Sequence, residues 1–166
     1  MINHTIDIIV ETPKGSREKY SYDPGLSQFR FKKALPLGMM FPYDFGFIPD
    51  TKGEDGDPLD ALVLSEFKFF PGCMVSCRLI GAMLAEQDSG SGIIRNDRFF
   101  FIAEESVQYA HIGSTPDLPK ADLEQLEAFF INYNKAEGKL FRPLRLIGAK
   151  QAYKLLKKQE HVLFND

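Results

Sequence analysis

Up to Pro119 the apolar side chains of this chain mostly alternate with polar ones, and only beyond it do they return at helical spacing. That switch admits few folds. "HTIDIIVET" and "EKYSYD" alternate and are rich in β-branched or aromatic residues, and "LSQFRFKKAL" continues in that style after the Pro24-Gly25 turn. "LDALVLSEF", "CMVSCRLIGAMLAE" and "RFFFIAEE" also read as strands, separated by turn signals at Pro71-Gly72 and Ser89-Gly90-Ser91-Gly92. The intervening "FPYDFGFIPDTKGEDGDP" is aromatic and reads as loop. After Pro119, "ADLEQLEAFFINYNKAEGK" predicts a helix: Asp122 and Gln125 form a capping pair, Leu123, Leu126, Phe130 and Tyr133 share one face, and Gly138 stops it. A second helix is expected in "KQAYKLLKKQ". Short strands followed by late helices imply a mainly β fold, a small closed or partly closed barrel with helices packed outside.

The 166 residues are 44% apolar and 26% charged, enough for one core and too few for two, so residues 1–166 are expected to form a single domain. No apolar run is long enough to span a bilayer, and Asp7 interrupts the stretch that a leader would need, so no membrane partner and no processing are expected. Cys73 and Cys77 lie four apart in an extended segment, which separates their Cα atoms by roughly 13 Å and forbids a disulfide between them. A reducing, cytoplasmic location follows. With 20 basic against 23 acidic side chains and no basic block beyond Lys32-Lys33 and Lys157-Lys158, the chain lacks the charge footprint of a nucleic-acid binder. His4, His111 and His161 are scattered without cysteine partners and read as ordinary histidines, not zinc ligands.

The chemistry concentrates in "EDGDPLDALVL", where Asp55, Asp57 and Asp60 stand within six residues at the threshold of an apolar strand. Two carboxylates about 4 Å apart repel by roughly 4 kcal/mol at the effective dielectric near a protein surface, so a fold that fixes three together needs a cation. Three readings stand. Asp-Gly and Asp-Pro form turns by backbone chemistry alone, with no ligand. A helix-loop-helix calcium loop fails, because its fifth position is Leu59, its glycine is replaced by Asp60, and its flanks are strands. A magnesium site remains: in extended chain Asp55 and Asp57 point to one side, and Asp60 returns to the same pocket after Pro58. Two ions bridged by a water would suit such a site, with a spare carboxylate taking the proton.

"DGDPLD" resembles the signature of the family I soluble inorganic pyrophosphatases, and the similarity runs along most of the chain. Glu11 in "VETP" and Lys19 in "EKY" match a glutamate and a phosphate-binding lysine of that family. "MMFPYDFGFIPDT" resembles the segment leading into the signature, "PGCMVSCRLIGAM" the long strand after it, and "FFINYNKAEGK" the helix with a phosphate-binding tyrosine, here Tyr133. The resemblance implies a five-stranded barrel of the oligonucleotide-binding (OB) type, a Mg2+ cofactor, pyrophosphate as substrate and a homo-oligomeric assembly. It further implies that Asp55 and Asp60 bind metal, Asp57 is the general base on the attacking water, Glu11 holds an outer magnesium, and Lys19 and Tyr133 bind phosphate oxygens.

The chain departs from that pattern near the chemistry. Lys33 replaces an arginine and loses its bidentate fork, Phe41 and Phe45 replace tyrosines, and Ser21 replaces a glutamate. Asn134 follows the helix tyrosine where the family has lysine, with Lys135 next to it as the substitute phosphate contact. In "AEQDSGSGIIRNDRFF" the family's second acidic loop is altered: Asp97 is expected to bind metal, Arg98 to contact phosphate, and Glu86 is a further metal candidate. The alternative for this loop is a solvated hairpin tip. For the whole chain the rivals are hydrolysis of another phosphoanhydride, a barrel module for single-stranded nucleic acid, and a metal-stabilised structural protein.

Overall fold

The computed structural model describes residues 5–164, with side chains through residue 159, so His4 and the side chain of His161 lie outside the described residues. Nine strands are described: β1 (Thr5–Thr12), β2 (Glu18–Asp23), β3 (Gln28–Ala34), β4 (Asp44–Phe47), β5 (Asp60–Leu64), β6 (Met74–Asp88), β7 (Ile93–Arg95), β8 (Arg98–Ala103) and β9 (Leu140–Gly148). The helices are α1 (Lys120–Ala136), between β8 and β9, and α2 (Ala149–Phe164).

Five strands close on themselves. The path β1-β4-β5-β8-β6 returns to its start because β6 also pairs with β1, which makes the five-stranded OB-type barrel. At 15 residues β6 is long enough to serve two structures: its first part closes the barrel, and its far part carries β9 and β7. The hairpin of β2 and β3 forms a separate two-stranded sheet. Closure brings β1 and β4 very close. A Cβ at Gly46 would lie 2.0 Å from the Ile9 carbonyl oxygen, so only glycine fits there.

Alternation sorts the core. In β8, Phe99 and Phe101 join Ile8, Val10, Val63 and Cys77 in one cluster, to which α2 adds Ala152 and Leu156. Phe100 and Ile102 face the other way and meet Leu126 and Phe130 of α1. Phe99 to Phe101 are fully buried, each contributing on the order of 2–3 kcal/mol through lost apolar exposure. These two layers fix α1 against the barrel, and thereby the residues that its buried face presents.

Three local expectations change. Asp122 does not cap α1, whose N-cap is Pro119 with no side-chain bond; the nearby Asp117 closes instead the short 3-10 turn Thr115–Asp117, accepting the backbone N–H groups of Gly113 and Ser114. The aromatic segment read as loop contains β4, four residues with glycine at the third position and too short to show a period. β9 went unread because Pro143 interrupts it; the strand pairs only with β6, and its register shifts at that point, where a missing N–H is tolerated.

Candidate active site

The acidic segment is a turn, not extended chain. Gly56 takes φ +86°, which returns the backbone so that the Asp57 carbonyl accepts the Gly53 N–H at 2.7 Å and the Asp57 N–H donates to Asp55 Oδ1 at 3.0 Å. The Glu54 carboxylate accepts the Arg95 N–H at 2.6 Å and ties the turn to β7. Asp60 then opens β5. Parallel pairing places it abreast of Arg98, the first residue of β8, and the two form an ion pair. The Arg98 guanidinium also reaches Asn96 Oδ1 and lies 5.2 Å from the ring centroids of both Phe130 and Phe141.

These residues surround a cavity of about 170 Å3. Its lining includes the acidic Glu11, Asp55, Asp57 and Asp60, with Arg98 paired to Asp60, and a second group of Lys19, Tyr133, Glu137 and Lys139. Of the residues expected at a site, Glu11, Lys19, Asp55, Asp57, Asp60, Arg98 and Tyr133 line it together. Lys33 stands behind them, bound to Glu137 and 5.6 Å from the Tyr133 ring centroid. Phe41 and Phe45, where the family pattern has tyrosines, form an aromatic wall with Phe129 and Tyr133, at centroid distances of 4.7 Å to each other and 5.5 Å from Phe41 to Tyr133.

Asp97, Glu86 and Lys135 are not brought to this cavity. Asp97, in the two-residue connection between β7 and β8, turns onto Arg95 at 2.9 Å and the Ala85 N–H at 3.0 Å, whereas Asn96 and Arg98 on either side of it line the cavity. Glu86 turns outward to Arg142 at 3.9 Å, while its neighbour Gln87 faces the cavity. Lys135, exposed, is two residues past Tyr133 on α1 and so lies on another face; Lys139 reaches the cavity in its place. Sequence reading missed Gln87, Asn96, Glu137 and Lys139. Period two around Arg98 identifies Asn96, and four-residue spacing from Tyr133 identifies Glu137.

Electrostatics separate the walls. Burial pushes the Glu11 carboxyl up to about 7; the charges of Asp60 and Asp57 add to this, against the Tyr22 N–H that it accepts at 2.7 Å. Asp55 is raised by burial and by the charges of Asp60 and Asp57, with the hydrogen bond from Asp57 opposing. On the other side, burial lowers Lys19 and raises the Tyr133 phenol. Burial also works against an ionised Glu137, but Lys33 and Lys19 hold its carboxyl down to about 2.

Carboxylates that raise one another are a ready cation site. Among the described residues no three acidic side chains converge closely enough to hold a metal unaided, Asp60 being turned onto Arg98 and Asp55 onto the Asp57 N–H. Magnesium fits this donor set nonetheless: the donors are all carboxylate oxygens, and the ion keeps several waters while using one or two carboxylates.

A family model for inorganic pyrophosphatase matches residues 8–162. The inorganic pyrophosphatase of Thermus thermophilus is 34% identical over 143 residues, 86% of this chain and 79% of that relative. That of Streptomyces coelicolor is 33% identical over 147 residues, 88% of each. Among solved structures, the crystal structure of the Thermus thermophilus inorganic pyrophosphatase matches with TM-score 0.87 at 30% identity, covering 96% of this chain and 91% of that one. The Helicobacter pylori inorganic pyrophosphatase gives 0.86 at 28%, covering 96% and 93%. With its closed barrel and with its acidic turn and lysines lining one cavity, the chain belongs to the inorganic pyrophosphatases, family I, as the resemblance implied.

Proposed function

We propose that this chain, acting over its whole length as one pyrophosphatase unit, hydrolyses pyrophosphate to two orthophosphates with Mg2+ as cofactor. The observation that supports this reading is the meeting of Glu11, Asp55, Asp57 and Asp60 with Lys19, Arg98 and Tyr133 around one cavity. Asp55, Asp60 and Glu11 are the residues that would hold magnesium, which when bound neutralises phosphate charge and acidifies water. Asp57, on the exposed rim of the turn, accepts the proton of the attacking water as general base. Lys19, Arg98 and the Tyr133 hydroxyl meet the phosphate oxygens, and Lys33 adds its charge from behind them, so that together they offset the charge of the departing phosphate. Phosphoryl transfer asks the protein mainly for position and charge, and these residues supply both. The free cysteines fit a reducing cytoplasm, and a homo-oligomer is the assembly we infer.

A second reading, hydrolysis of another phosphoanhydride, is favoured by the neutral Gln87, Asn96 and Asn134 on the cavity wall, which offer hydrogen bonds in place of charge. Phosphate release from pyrophosphate, tripolyphosphate and nucleoside triphosphates, each with Mg2+ and again with chelator, tests both. The first reading expects metal-dependent release from pyrophosphate above the others. Release from the longer substrates alone establishes the second.

A further inference from the structure

The cationic side of the cavity already holds an anion. Register places Lys19 of β2 directly opposite Lys33 of β3, a cross-strand pairing of like charges that is unfavourable by itself. Glu137 resolves it. Its Oε1 accepts Lys19 Nζ at 3.3 Å and pairs with Lys33, while Oε2 lies 3.6 Å from Lys139 Nζ. The Tyr133 ring lies beneath the two strand lysines, 5.1 Å from Lys19 Nζ and 5.6 Å from that of Lys33. The Glu137 side chain is 11% exposed, so these contacts are made largely out of water. Glu137 is also the C-cap of α1, the helix end where a negative charge is disfavoured. Its position is explained by the lysines and not by the helix.

We propose that Glu137 is a built-in competitor for the phosphate end of this cavity: its carboxylate takes the place between Lys19, Lys33 and Lys139 that a phosphoryl oxygen needs, and an incoming phosphate must displace it. This rests on the reading of the cavity as a phosphate site. A carboxylate carries one negative charge and a phosphoryl group up to two, so the phosphate prevails, but its affinity is reduced by what Glu137 withholds. Glu137 therefore keeps the lysines gathered before substrate arrives, and it weakens the hold on orthophosphate after cleavage. It sets anion affinity without touching the acidic wall.

The test is calorimetric titration of inorganic phosphate, without metal, into the natural chain and into Glu137→Gln. The amide keeps the shape and removes the competing charge, and phosphate is expected to bind about tenfold tighter or more, the effect of losing one charged competitor. Phosphate binding that is unchanged, weaker or undetectable in a folded Glu137→Gln protein overturns the proposal and leaves Glu137 a clamp on the lysines. Should that variant not fold, a crystal of the natural chain with phosphate decides. The Glu137 carboxylate is expected to have left Lys19 and Lys33, and a carboxylate still on both beside bound phosphate overturns the proposal. Failure of the functional reading shows separately, as no phosphate release from pyrophosphate by the natural chain with Mg2+.

Discussion

Asp60 and Arg98 stand side by side at the first positions of two parallel strands, and their ion pair joins the acidic wall of the cavity to its cationic side. The arginine is 6% exposed and the aspartate 41%, so the pair lies at the boundary of core and solvent. Arg98→Lys keeps the charge but loses the flat guanidinium that lies by the Phe130 and Phe141 rings while one of its nitrogens reaches both Asp60 and Asn96. A loss of about 1–3 kcal/mol is expected in urea unfolding, with turnover falling as well. An unchanged unfolding midpoint would show that the guanidinium's contacts with the two rings contribute nothing.

Asp57 is exposed, and its carboxylate takes no part in the hydrogen bonds of its own turn, which are made by its backbone. Asp57→Asn should therefore leave the melting temperature and magnesium binding close to natural while lowering turnover by about 100-fold or more, the usual contribution of a general base. Steady-state phosphate release and magnesium calorimetry on the same preparation check it. Near-natural turnover removes Asp57 from the role.

The Glu137 carboxyl falls from an ordinary value of 4.5 to about 2 in the folded chain. A depressed carboxyl contributes stability that is present above the unfolded value and lost as pH falls toward the folded one, here between about 4.5 and about 2. Glu137→Gln should melt below the natural chain at about pH 7, and the gap should narrow steadily below about pH 4.5. A gap independent of pH would mean that the lysines gain nothing from the charge.

Gly46→Ala tests barrel closure. The new methyl would fall on the Ile9 carbonyl, a backbone atom that cannot swing aside, so β1 and β4 must part. A cost of about 2 kcal/mol or more in chemical denaturation is expected, because forced overpacking displaces backbone. A neutral result would place β1 farther from β4 than described.

Much of this was legible in the sequence because burial imposes a period. The strands of the barrel are half-buried or fully buried runs bounded by turn residues, and the face of α1 that carries Leu126, Phe130 and Tyr133 follows from 3.6-residue spacing. Glu11, Lys19 and the aspartates were found because the spacing of a family motif marks them. What stayed hidden depends on register. Whether Glu86 or Gln87 faces the cavity turns on a one-residue choice along β6, and the same choice in the next chain segment separates Asp97 from Asn96 and Arg98. Charge drew attention to the acids, whereas the pleat presents the amides. Glu137 is different: four-residue spacing from Tyr133 marks its place on the helix, but its partners on β2 and β3 lie more than a hundred residues away and leave no local signal of the contact.

If the clustered carboxylates and lysines of this cavity cleave pyrophosphate with the help of magnesium, as proposed, the purified natural chain releases phosphate from pyrophosphate. Two orthophosphates per pyrophosphate are expected, only with Mg2+, and with release abolished by chelator. No release at saturating Mg2+, or release indifferent to chelator, would contradict the account.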